Sequence, residues 1–148
     1  MNDVELVMAM WDTLDKRDWP QLGAFFGPDS IYYDVPLGPS AAGVGPESIV
    51  ARLRLGLEPL SAYQHHHGLA STGDGGLVML EHSETWTWGT GESVTLPIAT
   101  VHRVAGGAIT RWVDYWDYQT LMGAAPAWWV EQTTTGDLSW LVDATDLV

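Results

Sequence analysis

Three glycine-rich turns, Gly73-Asp74-Gly75-Gly76, Gly89-Thr90-Gly91 and Gly106-Gly107, cut the second half of this chain into four runs of strand length. Turn clusters at this spacing, with β-branched and aromatic residues between them, specify antiparallel strands joined by hairpins. The strands are expected near 61–71, 77–88, 93–105 and 108–118.

The first half reads differently. Val7, Met10, Trp11 and Leu14 recur at helical spacing and predict an amphipathic helix over 3–17. Asp18 suits the cap of a second, shorter helix with Pro20 in its first turn, burying Leu22, Phe25 and Phe26 before Gly27-Pro28 stops it. Residues 30–35 read as a strand. Residues 36–46, with three prolines and three glycines, form a loop, because too little chain precedes them for a separate core. Pro46 opens a third helix that buries Ile49, Val50, Leu53 and Leu57 and stops at Pro59. Helices first and a run of strands afterwards make an α+β arrangement, with helices covering one face of a bent antiparallel sheet. At 148 residues one core is expected, so residues 1–148 are read as a single domain. The tail, 123–148, carries Trp128, Trp129, Trp140 and Leu141, and is apolar enough either to cover the pocket mouth or to join a homodimer.

Composition narrows the function. Six Lys and Arg against 19 Asp and Glu give a formal charge of -13, which repels phosphate backbones and anionic membranes. Neither a nucleic-acid nor a membrane partner is expected. The absence of cysteine removes disulfides and thiolate chemistry. Asp3 and Glu5 stand where a signal peptide would be positive, so a cytoplasmic location is expected. Some of the nine tryptophans must pack the core, and so much aromatic area also suits a site for a sizeable apolar small molecule.

Strand side chains alternate between faces, so residues two apart point the same way, about 7 Å from each other. On 77–88 this groups Leu80, His82, Glu84, Trp86 and Trp88, and leaves Glu81, Ser83, Thr85 and Thr87 on the other side. On 108–118 it groups Thr110, Trp112, Asp114 and Trp116; on 93–105, Leu96, Ile98, Thr100 and His102; on 30–35, Tyr32 and Asp34. Asp34, Glu84 and Asp114 are thereby expected to converge inside one apolar shell. Burial favours the neutral acid and a second carboxylate raises one pKa further, which divides such a group into a proton donor and a proton acceptor.

His65-His66-His67 suggests a metal site, but consecutive strand residues alternate in direction and cannot chelate one ion together. Either His66, or His65 with His67, faces inward; His66 is taken as a pocket residue together with His102. Ligation of zinc or non-haem iron by His66, His82, His102 and Glu84 lacks any compact ligand motif, and no metal or organic cofactor is expected.

Two segments, Tyr32-Tyr33-Asp34-Val35-Pro36-Leu37 and Gly107-Ala108-Ile109-Thr110-Arg111-Trp112-Val113-Asp114-Tyr115-Trp116-Asp117, resemble the limonene-1,2-epoxide hydrolases. These belong to the nuclear-transport-factor-two-like superfamily, with SnoaL-type polyketide cyclases and ketosteroid isomerases as cousins. The resemblance covers roughly residues 3–121 and implies a cone-shaped curved sheet wrapped around a pocket with three N-terminal helices. In that family an Asp-Arg-Asp set opens the epoxide, while a Tyr and an Asn hold the attacking water. Carried across by position, the Tyr falls on Tyr32, the second Asp on Asp114 and the first on Glu84. The Asn position holds Asp34, where the isomerase cousins keep their base, and the Arg position holds His82. A histidine titrates near neutrality and cannot offer the five-donor fork of a guanidinium.

The resulting expectation is an acid/base enzyme that opens an epoxide or closes a ring on an apolar terpenoid or polyketide-like substrate. Asp114 would donate the proton and Glu84 or Asp34 would activate the nucleophile. Tyr32 would hold that nucleophile and His82 would charge-balance the carboxylates. Trp86, Trp88, Leu96, Ile98, Trp112 and Trp116, with His66 and His102, would shape the pocket. A carbon–carbon cyclase or isomerase, and a non-catalytic binding domain, are the competing expectations.

Overall fold

The computed structural model describes all of residues 1–148. Helix α1 (Asp3–Asp15) starts at a capping box, with Asn2 accepting from the Glu5 amide and Glu5 accepting from that of Asn2. It buries Val7, Met10, Trp11 and Leu14, the stripe read from the sequence. Helix α2 is one turn (Trp19–Leu22), and α3 spans Pro46–Leu57.

The strands are β1 (Ile31–Asp34), β2 (Gly43–Val44), β3 (Ala62–Gly73), β4 (Leu77–Thr87), β5 (Ser93–Ala105) and β6 (Ala108–Tyr115). They form one curved, unclosed sheet in the order β2-β1-β6-β5-β4-β3. The three glycine clusters are the hairpin turns, as expected. At Gly76, φ is +74° and a Cβ would collide with the Val104 carbonyl, so only glycine fits there.

The sequence reading needs four corrections here. The sheet is not wholly antiparallel: β1 runs parallel to β6, with Tyr32 opposite Trp112 and Asp34 opposite Asp114. The loop at 36–46 contains the short strand β2, which pairs with β1. A register shift between Arg103 and Val104 turns Ile109 inward and leaves Thr110 exposed, so Thr110 does not share the face of Trp112. The sheet also ends at Tyr115, one residue short of Trp116.

Helices α4 (Tyr118–Met122) and α5 (Ala127–Thr135) follow the sheet. The tail then returns along the cavity, where Val142 makes a β-bridge with Ala42. Trp129, Val130, Leu138, Trp140 and Leu141 of the tail all line the cavity. No helix is long and apolar enough to cross a membrane.

Candidate active site

Between the concave face of the sheet, α3 and the tail lies a cavity of about 460 Å³, within the size range of small-molecule sites. Hydrophobic residues supply 21 of its 28 lining positions. Asp34, Glu84 and Asp114 all lie on its wall, brought from β1, β4 and β6 by strand alternation, and each is at most 6% exposed.

Each of the three carboxylates takes an indole N–H. Trp112 Nε1 donates to Asp114 Oδ1 (2.7 Å), Trp86 Nε1 to Glu84 Oε2 (3.0 Å) and Trp116 Nε1 to Asp34 Oδ1 (2.7 Å). The tryptophans read as pocket walls are therefore donors as well. For two of them the signal lay in the two-residue spacing Glu84-x-Trp86 and Trp112-x-Asp114, which places ring and carboxyl side by side on one strand face.

The environments of the three acids differ. Asp34 forms an ion pair with Arg52, Nη2 to Oδ2 at 2.6 Å, with both side chains 9% exposed. Glu84 is pushed up to about 7, chiefly by burial; the neighbouring Tyr63 hydroxyl and the Trp86 N–H pull it down, and Asp34 pushes it up. The Tyr63 hydroxyl is itself buried, with no acceptor in good hydrogen-bond geometry. Asp114 is raised well above the usual carboxylate range by burial first, then by Asp34 and Glu84, against the opposing pull of Thr100 and Trp112.

Hydrogen-bond counting gives the same protonation state. Tyr32 Oη lies 3.2 Å from Asp34 Oδ1 and 3.2 Å from Asp114 Oδ2, but a hydroxyl has only one hydrogen. Both contacts are satisfied if Tyr32 donates to Asp34 and accepts from a protonated Asp114. Asp114 Oδ1 already accepts from Thr100 and Trp112, so the proton belongs on Oδ2.

Four sequence expectations are corrected at the site. His82 does not line the cavity or face the carboxylates: its ring is held between His65 and Thr100, at 2.7 Å from each, and burial lowers its pKa to about 3, so it supplies no positive charge. The cation beside the carboxylates is Arg52 of α3, which the stripe Ile49, Leu53, Leu57 passed over because its guanidinium reaches past the helix into the cavity. Its Nε donates to the Ala41 carbonyl, and its plane lies 4.6 Å from the Tyr32 ring centroid. His66 points to the opposite face and bonds Thr85 Oγ1 at 2.7 Å, since β3 is paired so that His65 stands opposite Glu84 and His66 opposite Ser83. His102 is wholly buried behind the wall, accepting from Trp11 Nε1 and bonding the Val78 carbonyl, both at 3.0 Å. Trp88 is likewise core, packed on Trp86 and Trp129 at 6.0 and 5.7 Å between ring centroids, and is absent from the lining. No group of three His, Asp or Glu side chains is placed to hold a metal.

Arg52→Met is expected to lower stability by about 3 kcal/mol, at the low end for a broken buried ion pair, because Asp34 keeps two donors and borders the cavity. Equilibrium urea unfolding measures it; an unchanged midpoint would show the pair to be energetically idle.

A curved sheet wrapped on three helices, with an acid-lined apolar cavity inside, defines a nuclear-transport-factor-two-like protein. Residues 7–112 match the SnoaL-like domain family, and the chain belongs to it. The fold is shared with a putative SnoaL-like polyketide cyclase from Shewanella putrefaciens CN-32, at a TM-score of 0.73 and 21% identity over 82% of this chain and 94% of that one. It is shared with an LEH-like epoxide hydrolase of M. tuberculosis, at 0.69 and 24% over 82% and 88%. A protein of ketosteroid isomerase-like fold from Catenulispora acidiphila DSM 44928 matches at 0.72 and 23%, over 81% and 91%.

Proposed function

We propose that this chain is an acid/base enzyme that opens an epoxide, or closes a ring, on an apolar terpenoid or polyketide-like molecule. The observation that carries the reading is that three carboxyls on one apolar wall have unlike surroundings: Asp34 is ion-paired to Arg52, whereas Asp114 and Glu84 are buried without a cation and are pushed up, Glu84 to about 7. A proton on Asp114 Oδ2 neutralises the alkoxide or enolate that forms as the substrate bond breaks. Glu84, once ionised, takes the proton from a water or a substrate hydroxyl. The Arg52–Asp34 pair and Tyr32 stay in place throughout and orient Asp114 through the Tyr32 hydroxyl. Asp114 and Glu84 are the protein's proton donor and acceptor in this sequence, and proton transfer so placed contributes about 10²–10⁴-fold.

Asp34 is a poor candidate for the base, because taking a proton would break a 2.6 Å ion pair. That disfavours an isomerase built on this position and leaves Glu84 as the acceptor. A pure binding domain would have carboxylates that point to solvent or are locked in ion pairs, and Glu84 and Asp114 are buried on the cavity wall without an ion pair. The relatives of known name include both cyclase and hydrolase, so the reaction is decided by product analysis. A panel of apolar cyclic epoxides, and of hydroxy-epoxides able to close on themselves, is incubated in ¹⁸O-water. A labelled diol identifies hydrolysis and an unlabelled ring identifies cyclisation; binding without conversion across the panel would overturn the reading.

Activity is expected to be bell-shaped in pH. The rising limb follows ionisation of Glu84 and has its midpoint near 7, and the falling limb follows loss of the Asp114 proton at higher pH. A profile that rises fully by pH 5 would remove Glu84 from the role of base.

A further inference from the structure

The cavity wall has few side-chain hydrogen-bond donors to offer a bound molecule. Six tryptophans line it, and each spends its indole N–H on the protein: three on the carboxylates, Trp11 on His102 Nε2, Trp129 on the Gly56 carbonyl and Trp140 on the Asp137 carbonyl. The lining threonines, Thr133 and Thr134, donate to the Val130 and Glu131 carbonyls of their own helix. Tyr32 gives its one hydrogen to Asp34. Tyr118, the last lining hydroxyl, is half exposed.

Arg52 is the exception. Its Nε donates to the Ala41 carbonyl at 3.0 Å and its Nη2 meets Asp34 Oδ2 at 2.6 Å, but Nη1, with two hydrogens, has no acceptor in the protein. Nor is Nη1 sealed in: the buried polar side-chain atoms without a partner are Tyr63 Oη, His65 Nδ1 and Trp88 Nε1. On a side chain that is 9% exposed and lines the cavity, an unspent donor outside that set opens on the cavity. The guanidinium carbon lies over the Tyr32 ring at 4.6 Å and over the Trp140 ring at 5.9 Å, which hold the group in place. A guanidinium drawn out of water with a donor left over is costly, and an oxygen of a bound molecule completes it.

We propose that Arg52 Nη1 is the donor that recognises the substrate, and that the substrate carries, besides the bond that reacts, a neutral carbonyl oxygen. Charge selects a carbonyl over a carboxylate. Asp34 already balances Arg52, Glu84 and Asp114 stand on the same wall, and the chain carries -13 overall. A neutral acceptor takes the hydrogen bond without bringing another negative charge to those acids. Its position follows from the contacts along the wall: Asp114 is reached from Arg52 through Asp34 and Tyr32, in steps of 2.6, 3.3 and 3.2 Å, so the carbonyl and the reacting oxygen fall within the span of a small ring system. The largely hydrophobic remainder of the lining takes the hydrocarbon body. The substrate is thus a ketone, lactone or quinone rather than a molecule whose sole oxygen is the one that reacts. Arg52 plays this part only if the cavity is the substrate site, as proposed above, whichever reaction follows there.

Binding without turnover tests it. α-Tetralone and tetralin share one bicyclic skeleton and differ by a carbonyl, and calorimetry gives the affinity of the full-length protein for each. Arg52→Met is expected to weaken α-tetralone about tenfold to a hundredfold, the worth of a hydrogen bond to a charged donor, and to leave tetralin within about twofold. The wild-type protein gives a reading that depends on no variant: nitrogen-15 signals of the Arg52 guanidinium, assigned through the Tyr32 ring, are expected to move with α-tetralone and to stay with tetralin. Tetralin carboxylate is expected to bind more weakly than the ketone. Equal weakening of both bicycles in Arg52→Met, or Arg52 signals indifferent to bound ketone, overturns the proposal. So does a ketone affinity lost in Asp114→Asn but kept in Arg52→Met, which puts the carbonyl on the acid, and tighter binding of the carboxylate overturns the choice of a neutral acceptor. Binding of neither bicycle removes the cavity as the substrate site, and the role of Arg52 with it. Turnover of the epoxide panel by a protein whose Arg52 ignores the ketone would strike this inference and leave the reaction standing.

Discussion

Asp114→Asn is expected to lower turnover by about 10²–10⁴-fold while leaving the fold and its stability nearly untouched. Asp114 is raised well above the usual carboxylate range and its contact with Tyr32 fits a protonated acid, so a neutral amide of the same shape changes little around it. Its carbonyl oxygen still accepts from Thr100 and Trp112, and its NH₂ replaces the Oδ2 hydrogen towards Tyr32. The amide has no proton to give, and that is the only chemical property removed. Steady-state kinetics and thermal unfolding on the same preparation separate the two effects. Retained turnover would dismiss Asp114 as the acid, and a large fall in stability would mean that the native group is ionised.

Glu84→Gln is expected to have two effects of opposite sign. Turnover falls by a similar factor, because the amide cannot accept the nucleophile's proton. Stability rises above pH 7. The carboxyl shifts from 4.5 to about 7 on folding, so the native state binds the proton more tightly, and wild-type stability falls as pH rises from 4.5 through 7. The shift corresponds to about 3 kcal/mol, an upper figure for what the variant regains at pH 8. The gain should vanish as pH falls towards 4.5. Denaturant unfolding at both ends of that range measures it, and equal stability of the two proteins at pH 8 would show that burial does not strain this acid. A base held at such a cost is what a site selected for reactivity over stability contains.

Strand alternation was the most informative part of the sequence. It placed Asp34, Glu84 and Asp114 on inward faces because a period of two leaves each strand only two choices, and the apolar neighbours selected one. It failed where the period broke. The bulge between Arg103 and Val104 moved Thr110 out, and no residue pattern near Gly106-Gly107 announces the extra residue. A second bulge lies between His66 and Leu69, where Gly68 approaches the Glu81 carbonyl too closely for any side chain.

His66 was misplaced for a different reason. Three identical residues carry no face signal of their own, and only the pairing with β4 decides which of them turn inward. Arg52 was hidden because a helix stripe is found by its apolar members, and a long side chain can leave that stripe and reach a partner far away in sequence. The parallel pairing of β1 with β6 is a long-range contact, invisible to turn chemistry, yet it sets Asp34 beside Asp114. The tail's position depends on contacts with α3 and the β1–α3 loop, such as Trp129 Nε1 to the Gly56 carbonyl and Val142 to Ala42, which no local pattern specifies.

The unequal charging of the cavity acids can be observed directly. Carbon-13 spectra of protein labelled at Asp and Glu carboxyls, titrated from pH 4 to 9 and assigned with Asp114→Asn and Glu84→Gln, should contain two outlying signals. One, absent from Glu84→Gln, titrates with a midpoint near 7; the other, absent from Asp114→Asn, remains protonated through neutrality. If both carboxyls are instead fully ionised by pH 5, the cavity holds no proton donor at neutral pH and the acid/base account is wrong.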